Sequence, residues 1–377
     1  MDLGFSEEQE MLRKTSRDFL ERECPASLVL EMEKDERGYP PELWKKMASL
    51  GWMGLVLPEE HGGIGGSFLD LVILLEEMGR VLLPGPFFSA VVLGALPILS
   101  AGSEEQKKNF LPRIANGDQI FTLAWTEPNA SYQAAGVTVR AIPDKHDYVI
   151  NGTKLFVPYA HAADWILCVA RTNDRAAPEE GITVFIVDAQ SPGITVAVMD
   201  TMAGTKQCEV HFEDVRVPRD RILGQVDRGW RWMEEVLDQT AAASCAQMVG
   251  GAQRVLEMTA EYAKMRIQFG RPIGSFQVTA HRSADQLIDV EGARYITYQG
   301  AWLISESLPC AKEISLAKVW VNEAYWRVCV EAHQTHGGIG VTEEFPLGLY
   351  TWRAKAAQFA FGDSDFHREI IARKLGL

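Results

Sequence analysis

An α+β chain in three consecutive parts is what the sequence predicts: an N-terminal helical domain (1–118), a central antiparallel β domain (119–228) and a C-terminal helical bundle (229–377). Three observations lead there. Apolar residues recur with helical spacing at both ends of the chain. Seven short β-branched runs bounded by turn residues crowd the middle. No helical stretch separates those runs, which points to an antiparallel barrel or sandwich and not to strand–helix–strand units. A length of 377 residues suits about two to three domains. With 47% apolar and 23% charged residues the chain is too apolar for disorder.

Helix starts are legible in the first part. Ser6–Gln9 and Ser103–Gln106 both read as capping boxes, in which the serine hydroxyl satisfies an early amide and the glutamine reaches back. Pro40-Pro41 opens a short helix, PELWKKMASLGW. After the glycine-rich connection HGGIGGS comes LDLVILLEEMGRVLL, apolar nearly all round and therefore expected to be buried. In the middle part QIFTLAW, GVTVRAI, YVINGTKLFV, WILCVART, GITVFIVDA, ITVAVMD and CEVHFEDVRV read as strands, with a turn expected at Asn151-Gly152. From 229 onward three long helical runs and a shorter last one suggest a bundle. The small-residue stretch AAASCAQMVGGA (241–252) fits either close helix packing or space kept clear beside a ligand.

Charge narrows the function classes. The net charge of −14 argues against a grip on nucleic acid or anionic lipid. No uninterrupted apolar stretch reaches the ~18 residues of a membrane span, and the acidic N-terminus lacks the pattern of a signal peptide. Six irregularly spaced cysteines without CxxC predict reduced, buried thiols in a cytoplasmic protein. The runs HGGIGG (61–66) and HGGIGV (336–341) lack the strand–turn–helix context of a dinucleotide fingerprint, so no nicotinamide site is expected. His333 and His336 stand at i, i+3 without the further ligands zinc needs, and no metal is expected.

Five blocks in order carry a resemblance. LAWTEPNA (123–130), NGTKLFVPYAHAADWILCVART (151–172), HFEDVRVPRDRILG (211–224), EYAKMRIQFGRPIGSFQ (261–277) and QTHGGIG (334–340) resemble signature segments of the acyl-CoA dehydrogenase family. The resemblance implies a helical domain, a β-barrel domain and a four-helix bundle, usually in a tetramer with FAD at subunit interfaces. It implies that Trp125 and Thr126 lie along the flavin ring, and that Phe156 stands for the tryptophan that covers it, followed by Val157. Arg266 matches the arginine that meets the FAD diphosphate of a neighbouring subunit, with Gln268, Phe269 and Gln277 as its companions. Gln334, Gly337 and Gly338 match the segment along which the diphosphate and adenosine pass close to backbone.

Departures from the pattern concern catalysis. Pro158 replaces a threonine whose hydroxyl meets flavin N5, Tyr132 replaces a serine, and Ala241 replaces an arginine that contacts CoA, although Asp238 remains. The base that removes the α-proton is a glutamate in Tyr-Glu-Gly-Thr; here the segment is Ala360-Phe361-Gly362-Asp363. At the alternative position of that glutamate stands Thr240. Asp363 is the nearest carboxylate by sequence, with a shorter arm and a shifted direction. Three functions follow from the resemblance: an FAD-dependent acyl-CoA dehydrogenase reoxidised by an electron-transfer flavoprotein or similar acceptor; a base-less subunit completing the FAD site of a heteromer; or a flavin oxidase or monooxygenase on the same fold. Ala360 and Phe361, with Ala241–Ser244 opposite, predict a broad apolar pocket suited to a branched, cyclic or aromatic acyl thioester.

Overall fold

A computed structural model describes residues 4–377. The helices of the first part are α1 (Glu7–Glu23), α2 (Ala26–Lys34), α3 (Pro41–Ser49), α4 (Phe68–Arg80), α5 (Leu96–Ala101) and α6 (Glu104–Ala115). A wider π-helical run, Phe88–Ala95, leads directly into α5. Both expected capping boxes form, with Gln9 N donating to Ser6 Oγ and Gln106 N donating to Ser103 Oγ, each at 3.2 Å. A third, at the start of α4, pairs Ser67 with Asp70. It escaped the sequence pattern because aspartate takes the place usually held by Glu or Gln.

The middle part is a sheet of β1 (Phe121–Ala124), β2 (Arg140–Asp144), β3 (Asp147–Pro158), β4 (Trp165–Arg171), β5 (Ile182–Asp188), β6 (Ile194–Met199), β7 (Gln207–Pro218) and β8 (Ile222–Leu223). Its order is β6-β7-β3-β2-β4-β5-β8, with β1 on β4. The sheet is mixed, where pure antiparallel pairing was expected. β1 and β2 each run parallel to β4, because the β2–β3 hairpin lies between β1 and β4 in sequence and returns the chain in the same direction. Among the described residues the strand order is an open path and not a closed barrel. Alternate residues of β3, β4, β5 and β7, among them Ile150, Val157, Phe185 and Phe212, bury one face in a common apolar cluster.

The turn expected at Asn151-Gly152 is not one. β3 passes straight through it, and Gly152, at φ +138°, stands opposite a bulge in β7, where an extra residue between Phe212 and Val215, with Asp214 at φ +52°, shifts the register. The hairpin turn is Lys145-His146, flanked by the pair Asp144 and Asp147.

In the last part, α7 (Gly229–Met265), α8 (Gln277–Ser305) and α9 (Ala311–His336) are long, and α10 (Leu347–Ala357) and α11 (Ser364–Lys374) are short. At about 1.5 Å per residue, α7 runs for roughly 55 Å.

The chain forms two compact units that do not follow sequence order. One contains 31–66 and 84–240; the other contains 1–30, 67–83 and 241–377. In the second, α4 is buried as its apolar pattern predicted, yet it carries Glu76, Glu77 and Arg80 inside. Each has an opposite charge: Arg294 Nε donates to Glu76 at 3.1 Å, Arg17 Nη2 to Glu77 at 2.6 Å, and Arg80 to both oxygens of Glu257 at 2.8 and 2.9 Å. The small residues of 241–252 are explained in part by packing. A Cβ on Gly250 would stand 1.9 Å from the Glu76 carbonyl, and one on Gly79 would stand 2.0 Å from the Gln247 carbonyl, so α4 and α7 cross backbone to backbone.

Candidate functional site

The sheet unit brings four of the candidate residues together. Where β1 ends, Trp125 is buried and Thr126 is half-buried. β3 comes alongside, and Leu155 N donates to the Thr126 carbonyl at 2.9 Å. Between Lys154 and Val157 the register of β3 against β7 slips. Phe156 sits in this bulge at φ +52° and is 52% exposed, whereas Val157 turns into the apolar cluster. The bulge thus presents a bare aromatic ring beside Thr126 and leaves only the backbone of Val157 for a ligand. Pro158 has no N–H, and its carbonyl accepts from Thr122 Oγ1 at 2.6 Å.

A buried ion pair underlies this wall, and the sequence reading missed it. Lys154 Nζ donates to Glu127 Oε1 at 2.7 Å and to the Trp125 carbonyl at 3.1 Å, with both side chains out of solvent. Glu127 also accepts from the Val139 amide at 3.0 Å and from the amide and hydroxyl of Thr138. Burial alone would push the Glu127 carboxyl up, but the Lys154 ammonium and these hydrogen bonds outweigh it and hold the group below its ordinary value. The signal was the TEP glutamate itself, whose partner 27 positions away carried no spacing rule.

The remaining candidates lie in the helical unit, near the C-terminal ends of α7 and α9. After α7 the chain turns tightly: Gln268 pairs with Arg271 across Phe269 (φ +53°) and Gly270 (φ +79°). Phe269 is 93% exposed and Ile267 is also exposed. Arg266 is exposed and has no ion-pair partner among the described residues. Gln277, also exposed, opens α8. A cleft of about 320 Å³ lies between the end of α7, the segment 272–275 and the first turns of α8, lined by Ala263, Lys264, Gly274 and Ser283 among others. Tyr262, one turn before Arg266, stacks on His336, the last residue of α9. Gln334 is exposed on that last turn. Gly337 adopts φ +63°, ψ −138°, a conformation open to glycine, and among the described residues nothing stands within 4 Å of a Cβ built on Gly337 or Gly338. His333 and His336 have separate partners, Thr351 Oγ1 and the Ala332 carbonyl.

The candidate base positions are all engaged. Thr240 Oγ1 donates to the Val236 carbonyl of its own helix at 2.7 Å. Asp363 caps α11, accepting from the Phe366 amide at 2.8 Å. Phe361 lies at φ +58°, and its carbonyl accepts from His367 Nε2 at 3.1 Å. Since a carbonyl only accepts, Nε2 bears the proton, and Nδ1 faces Ser315 Oγ as acceptor at 3.1 Å. Burial pushes the His367 imidazole down to about 4. Lys318, fully buried, donates to the Ala357 carbonyl at 2.9 Å and to Asn322 Oδ1 at 3.0 Å, and burial pushes its ammonium down to about 8.

Comparison with known proteins places the whole chain. Three family models match in order: acyl-CoA dehydrogenase N-terminal domain (residues 6–118), middle domain (122–215) and C-terminal domain (227–376). The chain belongs to the acyl-CoA dehydrogenase family. It is 34% identical to "Probable acyl-CoA dehydrogenase YngJ" of Bacillus subtilis, with all of both chains covered. It is 34% identical to the caffeyl-CoA reductase–Etf complex subunit CarC of Acetobacterium woodii, over 98% of this chain and 99% of that one. The butyryl-CoA dehydrogenase structure from Megasphaera elsdenii superposes with a TM-score of 0.93 at 30% identity, covering both chains fully. The cofactor of this protein is FAD, and no described helix is long and apolar enough to cross a membrane.

Proposed function

We propose that the protein oxidises the α,β bond of a branched, cyclic or aromatic acyl-CoA and passes the electrons to an electron-transfer flavoprotein or similar acceptor, in the cytoplasm, as a homo- or heterotetramer. The observation that carries the cofactor site is the nearness of Arg266, exposed and without an ion-pair partner among the described residues, to the open glycine ledge at 337–338. Arg266 would donate charge-assisted hydrogen bonds to the FAD diphosphate, and the missing side chains of Gly337 and Gly338 would let it lie against backbone. Gln268, Phe269, Gln277 and Gln334 border the same end. Phe156 would stack on the flavin ring, with Trp125, Thr126 and Val157 offering backbone or hydroxyl groups at its polar edge. When bound, FAD would accept a hydride from the β-carbon, and the α-proton would leave to a separate base, for which Asp363 is the nearest carboxylate by sequence. The apolar turn at Ile267 and Phe269 supports self-association. An aromatic acyl group is in keeping with the caffeyl thioester named for the Acetobacterium relative.

A second reading has its own observation. Phe361 and Thr240 leave both family positions without a carboxylate, and Asp363 is committed to a helix cap. A base-less subunit completing the FAD site of a catalytic partner would have this composition. Calorimetry with bulky and short acyl-CoAs tests the substrate reading. Binding of bulky thioesters over butyryl-CoA supports it, with modest steps of ~0.8 kcal/mol per methylene. Absence of binding by any acyl-CoA favours the second reading.

A further inference from the structure

We propose that the buried Lys154–Glu127 pair is a positioning device that fixes the two halves of the flavin wall against each other. This rests on the reading of Trp125–Thr126 and Phe156 as that wall. The bonds converge on consecutive residues from both sides. Lys154 Nζ reaches the Trp125 carbonyl and the Glu127 carboxylate, and Leu155 N reaches the Thr126 carbonyl. One residue further on, the chain enters the bulge that exposes Phe156 at positive φ. A strained backbone of this kind persists only where its surroundings over-determine it. The pair supplies that constraint from the inner side, and the Thr138 and Val139 donors hold Glu127 in turn.

Stability alone is a poor reason for the pair. Burying two charges carries a large desolvation penalty, and an apolar pair of similar volume is commonly as stable or more so. What an apolar pair lacks is a donor aimed at the Trp125 carbonyl, so replacing the ions would free that carbonyl and residue 127 from β3, leaving the Leu155–Thr126 backbone bond as the remaining tie, with the core still filled. Lys154 and Glu127 are positioning residues here: they act through the residues that would face the ring.

The test uses the purified holoprotein. Lys154→Met alone strands a buried carboxylate and is prone to misfold, so the decisive variant is the neutral double change Lys154→Met/Glu127→Gln, with Glu127→Gln alone and Lys154→Arg beside it. The double variant is expected to unfold near the parent's temperature, to retain less than a tenth of the parent's FAD through repeated dilution, and to shift the visible absorption band and reduction potential of the flavin that remains. Glu127→Gln should fall between, and Lys154→Arg should recover most of the retention. A double variant with the parent's FAD retention, band position and potential overturns the proposal. Phe156→Ala, which leaves the pair intact, separates the two levels. FAD loss there with none in the double variant refutes the positioning role alone; no FAD loss in Phe156→Ala removes the wall reading and the proposal with it.

Discussion

The His336 imidazole stacks on the Tyr262 ring, with centroids 4.6 Å apart and planes 24° from parallel. This contact ties the end of α7 to the end of α9, and so places Arg266 and Gly337, 71 positions apart in sequence, on neighbouring helix ends. Arg266→Ala should then lower FAD occupancy. Loss of one charge-assisted partner is worth ~1.5–3 kcal/mol, or roughly 10–150-fold in affinity. Titration of FAD into the resolved apoprotein measures it, and equal affinity in parent and variant would remove Arg266 from the site.

Gly338→Val separates ligand space from folding. Among the described residues nothing comes within 4 Å of a Cβ there. The variant should unfold close to the parent when FAD is absent and bind FAD at least tenfold more weakly. A large drop in apoprotein stability with intact FAD binding would mean that the ledge serves packing.

Gly362 carries the opposite expectation. It lies at φ +103°, and a Cβ would meet His367 Nε2 at 2.5 Å. Gly362→Ala should cost on the order of 1–3 kcal/mol from backbone strain and disturb the bond from His367 to the Phe361 carbonyl. Denaturant unfolding checks the magnitude.

His367 makes the protein acid-sensitive. Burial holds its folded value near 4, below the ordinary 6.5. Between those values the unfolded chain binds a proton that the folded chain refuses, so this contribution to stability is present above about 6.5 and is lost as pH falls toward 4. His367→Gln, which cannot titrate, should flatten the fall in unfolding midpoint across that window. An unchanged slope would mean that other groups govern acid unfolding.

Lys318 acts at the alkaline end. Its ammonium is pushed by burial from 10.5 to about 8 in the fold, against the opposing influence of Cys245 and Asp363. The unfolded chain therefore holds the proton longer, and stability from this group rises as pH climbs from 8 toward 10.5. Comparing Lys318→Met with the parent by chemical unfolding should show that rise in the parent and not in the variant.

What was legible in the sequence had local causes. Ser6–Gln9 and Ser103–Gln106 were legible as helix caps because the motif spans four consecutive residues, and the strand runs were visible because alternation is local. What escaped depended on distant partners. Arg294 neutralises Glu76 from 218 positions away, and nothing in an apolar-looking helix announces it. Asn151-Gly152 looked like a turn because its chemistry permits one, but β7 pairs with both flanks and keeps β3 straight. The parallel pairing of β1 and β4 is likewise a property of chain return and not of either strand. At the candidate site, the blocks carrying Trp125, Phe156, Arg266 and Gly337 were visible as motifs; the Lys154–Glu127 pair behind Trp125 and Phe156 and the His367–Phe361 bond required coordinates.

Anaerobic mixing of the purified FAD-loaded protein with acyl-CoA thioesters tests the central claim most directly. The account predicts that the oxidised flavin absorbance bleaches with a bulky branched, cyclic or aromatic acyl-CoA, faster than with butyryl-CoA, and returns when an electron-transfer flavoprotein is added. A flavin that stays oxidised with every thioester, while remaining reducible by dithionite, would contradict a catalytic role for the chain acting alone.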